Sequence, residues 1–270
     1  ILAHTVITRT FEEITGKDIK HIHQVPVRFS EPEKEVYQKA ISEFHAMRGN
    51  YFASTGNSRK DSMMRLIQQI TLLLRISAAP NTVKEYTGGM PVKIAKVMEM
   101  LQEMPDQIIA IGVRHKKVVD AYSAAIRKLM PERPLFVVTG DTSTLAQRRK
   151  RRKTLKASGN GILLCTQQSL PSSVNFEFVN KVIIPELHYN NSRMSQFYMR
   201  FVRYTSREDK DIYFVTYLGS IESNQMQMVL AKEKINLFMR GQEQDLDDIY
   251  KTFGVDYNLL ETLMRREENS

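Results

Sequence analysis

Short apolar runs alternate with helical segments through the second half of the chain, and this order constrains the fold more than any other feature. The apolar runs show little polar alternation, so both of their faces are predicted to be buried. Buried strands separated by helices indicate a parallel sheet covered on both sides. We therefore predict an α/β fold with a doubly wound, mostly parallel sheet. The predicted strands are 107–113, 135–139, 161–166, 181–185 and 211–218, and the predicted helices between them are 116–130, 144–157 and 192–204.

The flanking parts of the chain are predicted to be largely helical. A strand is predicted at 21–29, where apolar and polar residues alternate. Ser30 and Glu33 have the spacing of a capping box, which favours a helix directly after that strand. Further helices are predicted at 62–76, 91–104 and 222–266.

The composition is that of a globular protein, with 270 residues of which 42% are hydrophobic. The single cysteine, Cys165, excludes a disulfide framework and a cysteine-based metal cluster, and it indicates a reducing, intracellular compartment. No apolar run approaches the roughly 18–20 residues that a bilayer span requires. We expect a cytoplasmic protein with no membrane partner. Because the chain starts at Ile1 rather than at a methionine, we also expect it to be a piece of a longer protein.

The positive charge is concentrated in one stretch of the chain. The formal net charge is +9, and residues 114–153 hold twelve basic and only three acidic residues. Such a field attracts a polyanion and holds it by counterion release. Six consecutive cations at 148–153 are also compatible with a solvated helix face or a localisation signal. Charge alone therefore leaves nucleic-acid binding as one of three interpretations.

Three polar residues after the fourth core strand have a spacing that points to phosphate. Gln196, Arg200 and Arg203 stand at i, i+4 and i+7, so on one helix they would share a face. Two adjacent guanidiniums repel unless an anion faces them, and Arg offers paired donors to phosphate oxygens. The alternative is that both are surface arginines paired with Glu208 or Asp209.

The same residues belong to a longer pattern of known type. The segment Glu186-Leu187-His188-Tyr189-Asn190-Asn191, followed by Gln196, Arg200 and Arg203, resembles an acidic-x-x-Trp-Asn-Pro motif with Gln-x-x-x-Arg-x-x-Arg after it. Tyr189 stands in place of Trp and Asn191 in place of Pro, with every spacing kept. This signature is typical of the second RecA-like lobe of superfamily-two helicases, and most closely of the Swi/Snf-related DNA-dependent ATPases.

Other motifs of that lobe occur in the same order, so that the resemblance covers roughly residues 7–222. Thr166 and Asn175 match a Ser-Thr-x-x-Gly-rich-Asn-Leu element, whose glycines are replaced by serines here. The matching positions are Ile7-Thr8-Arg9-Thr10, Tyr37, Leu74-Arg75, Lys93, Val138-Thr139-Gly140-Asp141-Thr142-Ser143, Gln147-Arg148-Arg149, Thr166, Ser169, Ser172, Ser173 and Asn175.

The resemblance implies three parts and a role. It implies a lobe-linking segment with a strand and helices at 1–104, a C-terminal RecA-like lobe core at 105–222, and a helical C-terminal extension at 223–270. ATP and Mg²⁺ would be bound mainly by an N-terminal RecA-like lobe. Neither a P-loop nor an Asp-Glu-x-His motif occurs in this sequence. We therefore expect a motor lobe of an ATP-dependent DNA translocase or helicase that does not hydrolyse ATP by itself.

The resemblance also assigns roles to single residues. Arg203 would be the arginine finger, Arg200 would assist it, and Gln196 would orient their segment toward the nucleotide. The loops after three core strands would contact one strand of single- or double-stranded DNA. The residues expected there are Arg114, Lys116, Lys117, Gly140, Arg148, Thr166 and Ser169. For Thr166, a hydroxyl that satisfies only its own loop is an equal alternative.

Two other functions compete with the motor lobe. One is a free-standing, non-catalytic module that binds nucleic acid or a protein partner. The other is an unrelated doubly wound transferase with a cofactor turn at 159–161, although these residues form no complete dinucleotide fingerprint. DNA is preferred over RNA, and a bacterial or viral origin is expected, only from the resemblance. His21 and His23 have no apparent partner ligands, so no metal site is predicted.

Overall fold

The computed structural model describes residue 16 and residues 19–53, 55–140, 144–170, 175–188, 191–203 and 205–223. The predicted motif residues at 7–10, 141–143, 172–173 and 189–190 lie outside these, as does the C-terminal extension beyond residue 223. The strands are β1 (Lys20–Val27), β2 (Ile109–Val113), β3 (Leu135–Val138), β4 (Ile162–Thr166), β5 (Lys181–Ile184) and β6 (Lys210–Tyr217). The helices are α1 (Glu31–Ala53), α2 (Gly56–Ala78), α3 (Val92–Glu103), α4 (Lys116–Leu129), α5 (Leu145–Ser158) and α6 (Asn191–Tyr198), with a 3-10 turn at Pro80–Thr82.

All six strands pair in parallel, in the order β1-β6-β5-β2-β4-β3, which confirms the predicted α/β fold. The carboxyl ends of β2, β4 and β5 consequently lie together at one edge of the sheet. The edge strand β1 pairs with β6 from Lys20↔Lys210 to Val27↔Tyr217. The sheet therefore includes residues on both sides of the boundary predicted at residue 104.

Helices cover both faces of the sheet, because side chains along a strand point alternately to the two sides. On β2, Ala110 packs with α5 and α6 residues, whereas Ile109 and Ile111 pack with α3 and α4 residues. A third apolar cluster, which includes Phe44 and Leu66, joins α1 to α2. None of the described helices is both long and apolar enough to cross a bilayer.

The helix predicted between the last two strands is shorter than expected. The periodicity predicts a helix at 192–204, but α6 ends at Tyr198. The backbone then tightens, with Arg200 N donating to Phe197 O at 3.1 Å and Phe201 N to Tyr198 O at 3.0 Å. Next, Ser206 N donates to Arg203 O at 2.8 Å, and Arg203 N donates to Ser206 Oγ at 3.1 Å. These bonds stabilise the turn that returns the chain to β6, so Arg203 lies beyond the helix.

The predicted capping box is present only in part. Glu33 Oε2 accepts the Ser30 backbone N–H at 2.6 Å, as predicted. The Ser30 hydroxyl, however, also donates to Glu33 Oε2, at 2.8 Å, instead of capping the helix amides. A complete capping box occurs at the start of α5, where Thr144 and Gln147 bond reciprocally.

Candidate functional site

Glu186 connects two of the strand-end loops at the carboxyl edge of the sheet. Its buried carboxylate follows β5, and Oε2 accepts the backbone N–H groups of Arg114 at 2.6 Å and His115 at 3.2 Å. Glu186 Oε1 also bonds to the ring of His115. Because Arg114 and His115 directly follow β2, this one carboxylate fixes the β2 loop against the β5 loop.

Gln167 brings a third loop into the same arrangement. It directly follows β4, and its backbone N–H donates to Val113 O at 2.8 Å. Its side-chain amide donates to Gly112 O at 3.2 Å and to Glu186 O at 2.7 Å. Residues that follow β2, β4 and β5 are therefore joined by hydrogen bonds across the edge of the sheet.

Gly112 explains how α6 is placed above this edge. A Cβ atom built on Gly112 would lie 2.2 Å from Cε1 of Phe197. The missing side chain on β2 is thus the space into which the buried Phe197 ring of α6 fits. This contact fixes the distance between α6 and the sheet. It therefore also fixes the position of the polar residues beside Phe197.

An open cleft of about 290 Å³ lies between the β4 loop, the β5 loop and α6. Its described lining residues have polar or charged side chains, and two of them are arginines. The lining residues are Gln167, Gln168, His188, Arg193, Gln196 and Arg200.

The positive charges around the cleft favour the binding of an anion. Burial and the nearby Arg203 guanidinium lower the pKa of Arg200. Within the part of the chain that the structure describes, the buried Arg200 Nε has no hydrogen-bond partner. Burial, and then the nearby cations Arg114 and Arg193, lower the pKa of His188 to about 4. A negatively charged ligand would relieve this repulsion between like charges.

The structure brings the three predicted nucleotide-facing residues to one region but not onto one helix face. Gln196 is exposed on α6, and Arg200 is partly buried in the turn that follows. Arg203, also partly buried, lies after that turn, and its charge acts on Arg200. The expected i, i+4, i+7 helical arrangement is therefore wrong for Arg200 and Arg203, because α6 ends at Tyr198, before both.

The proposed pairing of these arginines with the acidic residues downstream does not occur among the described residues. Glu208 instead bonds to Asn180, and Asp209 Oδ1 lies 3.6 Å from His21 Nε2. Arg200 instead lines the cleft, and the charge of Arg203 acts on it.

Six of the seven predicted nucleic-acid residues lie at the carboxyl ends of β2, β3 and β4 or within four residues after them, and Arg148 lies on α5. The hydroxyls of Thr166 and Ser169 bond to one another, and Ser169 N donates to Thr166 O at 2.8 Å. Gly140 is adjacent, since a Cβ built there would lie 3.7 Å from Ser169 Oγ. Lys116 and Lys117 are exposed in the first turn of α4. The Thr166 hydroxyl therefore satisfies a partner within its own loop.

The basic run of α5 divides into two groups. Arg151 donates to Val137 O and Arg152 to Asn175 O, and Arg152 also lies 5.3 Å from the Phe178 ring centroid. These two arginines hold the helix to the sheet and to a loop. Arg148 is partly buried beside a small cavity, whereas Arg149, Lys150 and Lys153 are exposed. Only part of the run is therefore a solvated face.

A buried polar network behind the cleft was not predicted from the sequence. Lys93 and Glu222 are both fully buried, and Lys93 Nζ donates to Glu222 Oε2 at 2.6 Å. Lys93 Nζ also donates to Pro185 O at 3.1 Å, and Tyr217 OH donates to Glu33 Oε1 at 2.7 Å. The only sequence signal was the match of Lys93 to a family motif. A buried pair separated by this many residues has no local pattern.

Cys165 and His23 have structural roles. Cys165 is fully buried in the core, and burial raises the pKa of its thiol, as expected for a packing residue. His23 Nε2 lies 2.6 Å from Asp211 Oδ1 and its ring stacks on Tyr213. Among the described residues, no group of three or more His, Cys, Asp and Glu side chains is placed to hold a metal ion.

Comparison with solved structures identifies the fold. The C-terminal domain of the Sulfolobus solfataricus SWI2/SNF2 ATPase superposes with a TM-score of 0.63 at 14% identity, covering 90% of this chain and 97% of that one. The C-terminal part of the Fun30 ATPase domain gives 0.62 at 14% identity, covering 78% and 89%. The Sulfolobus ATPase core in complex with dsDNA gives 0.64 at 17% identity, covering 87% of this chain but 50% of that one.

The chain therefore has the RecA-like α/β fold of the C-terminal domain of SWI2/SNF2 ATPases, and it spans about half the length of the Sulfolobus ATPase core. No protein-family model matches the sequence, and no curated protein matches it by sequence.

Proposed function

We propose that this chain is the C-terminal motor lobe of an ATP-dependent DNA translocase or helicase. The observation that carries the proposal is the partly buried Arg200, which lines the cleft. Its Nε has no partner among the described residues, and the nearby Arg203 charge acts on it. Support comes from the fold, which is that of SWI2/SNF2 lobes, and from the relative whose structure holds dsDNA.

In this function the two guanidiniums act on ATP that is held mainly by an N-terminal RecA-like lobe. That lobe would also supply Mg²⁺, which neutralises phosphate charge when bound. Arg203 contacts the terminal phosphoryl group as the arginine finger, Arg200 assists it, and Gln196 orients the turn that carries them. Their effect is to stabilise negative charge on the transferred phosphoryl oxygens. The described cleft fits this role, because its lining residues offer donors and positive charge.

The nucleic acid would run over the neighbouring loops. Exposed Lys116 and Lys117 and the partly buried Arg114 supply charge, while Gly140, Thr166 and Ser169 permit close approach of a phosphate backbone. Arg148 extends this surface onto α5. Contacts of this type carry no base information, which suits a motor that moves along any sequence. Closing and opening of the two lobes with each ATP would advance the strand.

The test is an arginine substitution in the full-length ATPase that carries this lobe. We expect Arg203→Ala to lower kcat by about 10³-fold or more, because the transition-state charge loses its partner. Binding of a non-hydrolysable ATP analogue should be nearly unchanged. Arg207→Ala is the matched control, since Arg207 is exposed on the following turn. Wild-type turnover in the Arg203 variant would remove the assignment.

A second candidate is a non-catalytic nucleic-acid-binding module. The exposed cations in the first turn of α4 favour it, because they can hold a polyanion without ATP. The two candidates differ in one measurement. DNA-dependent ATP hydrolysis by the full-length protein supports the motor, whereas DNA binding with no hydrolysis under any condition supports the module.

A further inference from the structure

We propose that Gln167 is a positioning residue that couples the nucleic-acid loop after β4 to the arginine cleft after β5. The inference rests on the proposed function, since it concerns how the two sites of the motor lobe communicate. Gln167 lines the cleft, but its side-chain N–H groups donate to Gly112 O and Glu186 O. It therefore acts through the backbone of the loops that flank the two sites.

The strand order of the sheet allows one side chain to link the loops after β4 and β5. β2 lies between β4 and β5, so residues that follow β4 and β5 are separated by a whole strand. The Gln167 side chain crosses that strand. Its Nε2 donates to Gly112 O on β2 at 3.2 Å and to Glu186 O beyond β5 at 2.7 Å. A displacement of the β4 loop therefore pulls directly on the backbone of Glu186.

Gln167 connects the two loops through Thr166, its neighbour in the sequence, and through Glu186, its hydrogen-bond partner. Thr166, one residue before it, bonds through its hydroxyl to Ser169, so the candidate phosphate-contacting loop moves with Gln167. Glu186 leads within two residues to His188, which lines the cleft with Arg200. The Glu186 carboxylate also holds the Arg114 and His115 amides. The link thus extends to the third loop at this edge.

Burial makes this link mechanically effective. Gln167 is only 4% exposed, so water cannot readily replace its hydrogen bonds. Gln168, the next residue, is exposed and has no such geometry. An exposed amide would exchange its protein hydrogen bonds for bonds to water when one loop moved. A buried amide that donates to two strands transmits the movement, because breaking it leaves two buried carbonyl oxygens unsatisfied.

The first experiment measures the link in the chain itself, without requiring ATPase activity. Gln167→Met keeps the length of the side chain and removes both donors. We expect faster hydrogen exchange of the Arg114 and His115 amides, which bond to Glu186, by about tenfold or more. Gln102→Met, at an exposed position of α3, is the control and should leave exchange at these amides unchanged. A change confined to 166–170 would overturn the proposal.

The second experiment measures coupling in the full-length ATPase. We expect Gln167→Met to leave the half-saturating concentration of duplex DNA within about twofold of wild type. The ratio of DNA-stimulated to basal hydrolysis should fall about tenfold, because the DNA-contacting loop no longer sets the position of the cleft. A merely structural role would lower basal and stimulated hydrolysis by the same factor and leave this ratio unchanged. Undiminished stimulation in this variant would refute the coupling.

The outcomes separate this inference from the function on which it rests. If wild-type protein shows no DNA-stimulated hydrolysis, the motor assignment fails, while the exchange measurement still decides whether Gln167 links the loops. If Gln167→Met does not fold, Gln167→Ala replaces it, since the smaller side chain leaves room for a water molecule to satisfy Gly112 O and Glu186 O. The same exchange and stimulation criteria then apply.

Discussion

At the scale of single residues, the candidate site depends on Gly112 having no Cβ atom. The Phe197 ring occupies the space that a Cβ would fill, and this contact positions α6 on the sheet. The cleft residues Gln196 and Arg200 are one and three residues away from that ring in the sequence. The position of the arginines is therefore determined partly by a glycine in the middle of a strand.

We expect Gly112→Ala to destabilise the fold by about 1–3 kcal/mol, because a Cβ 2.2 Å from the Phe197 ring forces the ring to move. Adding Phe197→Leu should recover part of the loss. The measurement is the free energy of unfolding in urea for the single and double variants.

Gly49→Ala is the control for this substitution, with the opposite expected sign. Gly49 lies in α1, and a Cβ built there meets nothing within 4 Å among the described residues. Alanine should therefore stabilise the helix by about 1 kcal/mol. Equal stability of the Gly112 and Gly49 variants would contradict the packing argument.

At the scale of single elements, α4 carries a pair of basic residues at each of its two ends. Its first turn follows β2 and carries Lys116 and Lys117 at the carboxyl edge of the sheet. Its last turn carries Arg127 and Lys128 and leads toward the start of β3, at the opposite edge. Net charge is the same at both ends, so position alone distinguishes them.

Lys117→Ala should weaken duplex-DNA binding by this chain and reduce the slope of log K against log salt by about 0.9, the value expected for one lost phosphate contact. Lys128→Ala removes the same charge from the far end of α4 and should leave the slope unchanged. The measurement is a fluorescence-anisotropy titration at several salt concentrations. Identical slopes for the two variants would mean that binding follows net charge and has no preferred edge.

The same elements show what the sequence can and cannot predict. The strands of the sheet core were predicted to within about two residues, because buried strands are apolar whatever surrounds them. The end of α6 was not predicted, since its residues remain apolar at helical spacing beyond Tyr198. The stop depends on Ser206 and on the path to β6.

The site residues divide in the same way. Arg200 and Arg203 were identified from a motif with fixed spacing, which is a local signal. Gln167 and Gly112 were not identified, because their roles appear only when β2, β4 and β5 are side by side. Interactions between distant segments leave no periodic trace in a single sequence.

At the scale of the whole molecule, the Lys93–Glu222 pair ties the end of the described chain to its middle. Burial raises the pKa of Glu222 from 4.5 to about 7, although Lys93 opposes the shift. Burial likewise lowers the pKa of Lys93. Glu222 also accepts the backbone N–H of Tyr217 at 3.0 Å, so the pair is connected to the carboxyl end of β6.

This pair predicts a pH dependence of stability. The folded chain keeps the Glu222 proton up to about pH 7, whereas the unfolded chain loses it near pH 4.5. The contribution of Glu222 to stability is therefore complete below pH 4.5 and is lost as the pH rises to 7, by about 1 kcal/mol per pH unit. Urea unfolding between pH 4.5 and 8 should show this decline in wild type, and Glu222→Gln should lack it.

Glu99→Gln is the control for the pH series. Glu99 pairs with Lys96 at 2.9 Å, but its side chain is 55% exposed, so its substitution should leave the pH dependence as in wild type. A wild-type decline that persists in Glu222→Gln would show that other groups cause it.

The pairing of β1 with β6 has a consequence for how the protein is made. His23 and Asp211, which bond across these strands, stand 188 residues apart in the chain. Bringing such distant segments together is slow, since a long loop must close before any contact rewards it. A ribosome releases the first strand long before the last one. The amino-terminal edge strand must therefore stay undocked, with its backbone groups unsatisfied by the sheet, until nearly the whole lobe has been translated, and chaperones have that interval in which to bind it.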